Sequence, residues 1–159
     1  LNNEFNFNNE IEKKFDSLSK DIEKDKLKFS LNSLRKKIPT IHSKELSHGD
    51  LTFDNIIFKN KKLYLIDPNP TKLSSVNFDV CKILQDIDCY WFIRFEKQNL
   101  DLKILCNELS NRIKKKIDIM NNKFILIFML LRIIPYCKDA FSKEYLFKSI
   151  NNLWMNDSN

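Results

Sequence analysis

The sequence predicts an α+β fold that is predominantly helical and carries one small β-hairpin. Three observations predict it: apolar residues recur at helical spacing along most of the chain, residues 46–78 break that rhythm with two short β-prone runs, and Gly49 is the only glycine among 159 residues. The length suits one domain, taken as residues 1–159, and 43% hydrophobic with 30% charged residues is the balance of a chain able to fold around a core. With one glycine, a Walker A loop, a dinucleotide fingerprint or a kinase Gly-rich loop cannot be complete within this chain.

The helices follow in order. Ile11, Phe15, Leu18 and Ile22 share one face, as do Leu27, Leu31, Leu34 and Ile38, after which Pro39 stops the second helix. Val80, Ile83, Leu84, Ile87, Tyr90 and Trp91 make a third stripe over residues 80–91, and Leu102, Leu105, Leu109, Ile113 and Ile117 a fourth. Residues 123–136 are apolar almost all round, which predicts a central helix covered by its neighbours. The run Phe124 to Leu131 is too short to cross a bilayer, which takes about 20 apolar residues. A last stripe comprises Phe141, Tyr145, Leu146, Ile150, Leu153 and Trp154.

Charge and cysteine content narrow the partners. The net charge of +6 is spread among 27 basic and 21 acidic residues, so the run Arg112, Lys114, Lys115 and Lys116 is expected to be a solvated helix face, with no nucleic-acid partner and no membrane. Cys81, Cys89, Cys106 and Cys137 form no C-x-x-C pair and sit in apolar helical patterns, as reduced core residues of a cytoplasmic protein would. The chain opens on Leu1 without a secretory signal and reads as a fragment. His42, in a polar connector, is expected at the surface.

The non-helical region is where chemistry gathers. Ile56-Ile57-Phe58 and Leu63-Tyr64-Leu65-Ile66 flank Lys59-Asn60-Lys61-Lys62, with Asn60 the residue best suited to a left-handed turn. Pairing Phe58 with Tyr64 places Ile56 opposite Ile66 and Asn55 opposite Asp67 at the open end, with β carbons about 4.5–5.5 Å apart. Just before stands His48-Gly49-Asp50-Leu51-Thr52-Phe53-Asp54-Asn55. Asp50, Asn55 and Asp67 thus share one end of the hairpin, and their hard oxygens suit Mg²⁺, which takes one or two protein ligands and leaves other positions to water and phosphate. The plainer alternative makes Asp50 and Asp54 turn caps and Asp67-Pro68 a turn opener.

The spacing H-x-D-x-x-x-x-N, followed by a hydrophobic strand ending in Asp, resembles the catalytic loop and metal-binding Asp of the protein-kinase-like fold. The wording His48-Gly49-Asp50 is similar to the aminoglycoside phosphotransferase and choline kinase family, over roughly residues 40–95. That resemblance implies that the chain is the C-terminal lobe of the fold. It implies Asp50 as the base that accepts a substrate hydroxyl proton, and Asn55 and Asp67 as ligands of Mg²⁺ on ATP or another nucleoside triphosphate. It further implies His48 holding the loop by hydrogen bonds, Gly49 permitting its backbone path, and Asp79 as a buried acceptor of loop N–H groups.

The implied activity is transfer of a γ-phosphoryl group to a hydroxyl of a sugar, amino-sugar or amino-alcohol. Asp67-Pro68-Asn69-Pro70 lacks the second acid of many relatives and resembles phosphotransferase-like domains of surface-polysaccharide pathways. No strand lysine or Gly-rich turn precedes His48, so the amino-terminal lobe is expected upstream of Leu1 or absent. A noncatalytic kinase-like lobe binding a partner or metabolite is the competing reading, and a basic helical nucleic-acid binder a third. Tyr90, Trp91, Phe92 and Phe95 are expected in the core rather than in a pocket floor, and Lys82 and Gln85 take no role from sequence.

Overall fold

The computed structural model describes residues 7–40, 46–69, 75–96, 99–116 and 119–156; His42, Pro70 and Ile117 lie outside them. Within these residues the molecule is mostly helical, with one two-stranded antiparallel sheet. The helices are α1 (Phe7–Asp21), α2 (Leu31–Lys37), α3 (Val76–Ile87), α4 (Leu100–Lys114), α5 (Ile119–Ile133) and α6 (Ala140–Met155). The strands β1 (Ile56–Lys59) and β2 (Lys62–Leu65) stand between α2 and α3. No described helix is long and apolar enough to cross a membrane.

Local chemistry sets the helix ends. Ser30, Ser75, Asn99 and Asp139 each cap a helix by accepting an N–H three residues on, at 3.1, 3.3, 3.0 and 2.6 Å. Ile38 leaves α2 in extended geometry, as a residue before proline must. Ser30 starts α2 later than the apolar spacing suggests, so Leu27 closes a short 3₁₀ turn (Lys24–Lys26) instead of opening the helix. Pro135 has no N–H to continue α5 and stands in the 3₁₀ turn Ile134–Tyr136.

α5 is the axle of the core. Every residue from Phe124 to Leu131 is buried, and the helix packs on α3 and α6, with α2 against it as well. Phe128 is fully enclosed, with the Phe15 ring 4.9 Å and the Phe78 ring 6.3 Å from its own. Cys81, Cys89 and Cys106 belong to this core and Cys137 packs on it; burial pushes all four thiols above their ordinary range.

Further expectations need correction. The third stripe outruns its helix, since α3 ends at Ile87 and Tyr90, with φ 51°, opens the 3₁₀ turn Trp91–Ile93. On α4 the face turned inward is Leu102, Cys106, Ser110 and Ile113, while Leu105 is 60% exposed and Leu109 is also exposed. The expected stripe sampled positions one turn apart but straddled two faces, because α4 is an outer helix covered on one side only. In the hairpin, Asn60 and Lys61 both have positive φ, 52° and 61°, which makes a two-residue turn and pairs Lys59 with Lys62 and Ile57 with Tyr64. The expected Phe58–Tyr64 pairing is therefore one residue out of register. Asn55 lies opposite Ile66, whose N–H donates to the Asn55 carbonyl at 3.1 Å, and Asp67 falls one step beyond.

Phe128→Ala should destabilise the chain by about 3–5 kcal/mol in urea unfolding, because it leaves a cavity among rings that cannot collapse. Leu105→Ser on the open face of α4 should change stability by no more than about 0.5 kcal/mol.

Candidate functional site

The site is a loop held on helix α3. Asp79, Lys82 and Asp86 recur at i, i+3 and i+7, which brings them onto one face of the helix. The buried Asp79 carboxylate accepts the His48 N–H at 2.6 Å with one oxygen and the Gly49 N–H at 2.8 Å with the other. Two turns on, the buried Asp86 carboxylate accepts the Phe53 N–H at 2.8 Å. Between them Lys82 Nζ stands 3.0 Å from Asp50 Oδ1. One helix face therefore grips the loop at its start, middle and end.

The loop's own bonds complete the frame. Gly49 has φ 85°, a left-handed conformation that costs a residue with Cβ, so the lone glycine sits where the backbone requires it. His48 is buried and donates its ring Nε2–H to the Ile66 carbonyl at 2.7 Å, while its own carbonyl accepts the Asn69 N–H at 2.8 Å. It ties the loop to the far end of β2. The Thr52 N–H closes a turn onto the Asp50 carbonyl at 2.9 Å, which also accepts Asn55 Nδ2 at 2.7 Å. The 3₁₀ turn Phe53–Asn55 has no side-chain cap, and the Asp50 carboxylate faces Lys82. The turn-cap alternative therefore does not describe Asp50.

Asp67 ends the hairpin with φ 51°, a left-handed geometry uncommon outside glycine but tolerated by Asp. The corrected register leaves Asn55 and Asp67 at the same end of the hairpin but not opposite one another, because Ile66 takes the place across from Asn55 and a one-residue slip exchanges the faces of a strand. Their donor set is one amide oxygen and one carboxylate, hard ligands in the number Mg²⁺ takes from a protein when phosphates supply the rest. Among the described residues, no three His, Cys, Asp or Glu side chains gather as a metal cluster.

The remaining singled-out residues have structural surroundings. Tyr90, Trp91 and Phe92 pack on the core and Phe53 meets Phe92 edge-on at 5.0 Å, but Phe95, expected in the core, is 64% exposed and only stacks on Phe141 at 5.7 Å, because it lies beyond the 3₁₀ turn that carries its neighbours inward. Arg112 pairs with Glu108 at 2.6 Å and Lys114 with Asp88 at 2.8 Å, while Lys115 and Lys116 are exposed. Gln85 is buried, and its Oε1 has no hydrogen-bond partner among the described residues.

Sequence reasoning missed Asp86 and the Lys82–Asp50 pair. The available signal was three charged residues on one face of a helix whose other positions are largely apolar. Burial raises the Asp86 pKa to about 6, with Asp54 and Asp50 adding to the rise and the Phe53 N–H and Lys82 opposing it.

Compared with protein-family models, with curated proteins and with solved structures, the chain finds no match in any of the three.

Because folding raises the Asp86 pKa, the folded state binds this proton more tightly, and Asp86 costs stability as pH rises from about 4 through about 6. Asp86→Asn keeps an oxygen for the Phe53 N–H. It should match the parent at pH 4 and exceed it by about 3 kcal/mol near pH 7.5 in urea titrations. Asp79→Ala strands two loop N–H groups and should cost about 2–4 kcal/mol in the same measurement.

Proposed function

We propose that this chain is the C-terminal lobe of a kinase-like small-molecule phosphotransferase, with ATP or another nucleoside triphosphate as donor and a hydroxyl compound as acceptor. The observation that carries the reading is the loop itself. The H-G-D-x-x-x-x-N motif forms one hydrogen-bonded unit in which Asp79 holds the backbone before Asp50, and Asn55 is tied to Asp50.

In this reading Asn55 and Asp67 hold Mg²⁺, which offsets charge on the phosphate oxygens when the nucleotide is bound. Asp50 takes up the acceptor's hydroxyl proton as its oxygen bonds to the γ-phosphorus and the bond to the departing nucleoside diphosphate breaks. Lys82 keeps the Asp50 carboxylate from turning freely, and His48, Gly49 and Asp79 fix the backbone that carries it. Such transfers depend on positioning more than on covalent chemistry. A rigid loop with one carboxylate at its centre fits that demand.

Nucleotide titration with and without Mg²⁺ tests the metal site: Asp67→Ala should abolish the Mg²⁺-dependent part of ATP affinity, and unchanged affinity removes Asp67 from it. In the protein that carries its amino-terminal lobe, Asp50→Asn should retain that affinity while phosphoryl transfer, read as nucleoside diphosphate release, falls about 10²–10⁴-fold. Near-normal transfer would make Asp50 structural.

A further inference from the structure

We propose that the cavity beside Asp50, between α1, α3 and the end of α5, is the subsite for an anionic group of the acceptor, a carboxylate or phosphate, so that the acceptor is an acidic or phosphorylated hydroxyl compound. This rests on the phosphotransferase reading and narrows its substrate class away from cationic amino-sugars and amino-alcohols. The cavity has a volume of about 240 Å³, and its charged lining is Lys14, Lys82 and Arg132 against one carboxylate, Asp21.

Arg132 is the residue that calls for an anion. A guanidinium offers five N–H donors. Among the described residues its hydrogen bond is to the Met129 thioether, Sδ at 3.2 Å, and no carboxylate comes within ion-pair distance. The Phe128 ring, 5.9 Å away, gives it an apolar flank. Burial lowers its pKa, opposed by Tyr136 and by the charge of Asp50. A partly buried cation without an anionic partner is costly, and a ligand oxyanion would supply one through bidentate hydrogen bonds.

Location gives the anion its source. Lys82 belongs to the cavity wall and also pairs with Asp50 at 3.0 Å, so an acceptor anchored there would present a neighbouring hydroxyl to the proposed base. No residue of 46–69 lines the cavity, which separates it from the Asn55 and Asp67 end where the triphosphate is placed. Lys14 and Asp21, both on α1, stand exposed in the lining.

Calorimetric titration of the 159-residue chain with inorganic phosphate, acetate and Mg²⁺–ATP in separate arms tests the proposal. Phosphate or acetate should bind saturably, and Arg132→Gln should weaken it about tenfold or more, the loss of a charge-assisted hydrogen bond. Lys14→Gln, exposed and indifferent to folding, should weaken it about two- to threefold and serves if Arg132→Gln does not fold. Glucose 6-phosphate should bind more tightly than glucose, and glucosamine no better than glucose. Phosphate affinity untouched by both variants overturns the site. Phosphate affinity lost in Asp67→Ala, or displaced by Mg²⁺–ATP, overturns the acceptor assignment by placing the anion on the nucleotide side. A chain that binds phosphate at Arg132 but shows no Mg²⁺-dependent nucleotide affinity overturns the phosphotransferase reading instead.

Discussion

Two carboxylates buried in the face of α3 are the constraint on which the site depends. A carboxylate removed from water must be satisfied, and Asp79 and Asp86 are satisfied by loop backbone N–H groups. The dependence runs both ways. The loop around Asp50 has no regular secondary structure to pair its N–H groups, so the helix supplies the acceptors. A segment that is irregular by itself becomes as fixed as the helix beneath it.

The helix in turn is fixed by the core. α3 lies against α5, whose buried stretch Phe124 to Leu131 faces neighbours on every side. The apolar face of α3, with Phe78, Cys81, Leu84 and Ile87, enters that core, and its polar face is thereby aimed at the loop. Packing that looks remote from the site thus decides where Asp79, Lys82 and Asp86 point. The two carboxylates differ in their surroundings: Asp79 receives two N–H groups and Asp86 one, and burial, with Asp54 and Asp50 near by, holds the Asp86 proton to a higher pH than an ordinary carboxyl group keeps it.

The proposed reaction assigns opposite charge to the two sides of Asp50. At the hairpin end are Asn55 and Asp67, the oxygen ligands proposed for a cation. Toward α1 and α5 stand Lys82 and Arg132, cations suited to an oxyanion. Asp50 is ion-paired with Lys82 and part-exposed. The proposed transfer, in which a metal-bound triphosphate and an anionic hydroxyl compound both approach one carboxylate, would call for this alternation of sign.

The amino-acid sequence by itself determined the helical character of the chain, the buried helix at Phe124 to Leu131, the stop at Pro39, the hairpin and the cluster around Gly49. Each is a local matter: a 3.6-residue period, a missing N–H, a residue type that tolerates positive φ. It also carried the motif of Asp50, Asn55, Asp67 and Asp79, because those residues keep fixed spacings. The hairpin register was not legible, since its strands read as unbroken apolar runs and Ile57, Phe58, Leu63, Tyr64 and Leu65 are all exposed, so no buried face selects one pairing. The left-handed turn at Asn60 and Lys61 selects it instead. Nor could spacing tell which side of α4 faces inward, which its neighbours decide. Only the tertiary structure turned Asp86 into a loop anchor, paired Lys82 with Asp50 and enclosed Arg132 beside them. The two loop contacts join residues 32 and 33 positions apart, and their energies depend on burial and on which groups are left unpaired, properties that a one-dimensional pattern does not contain.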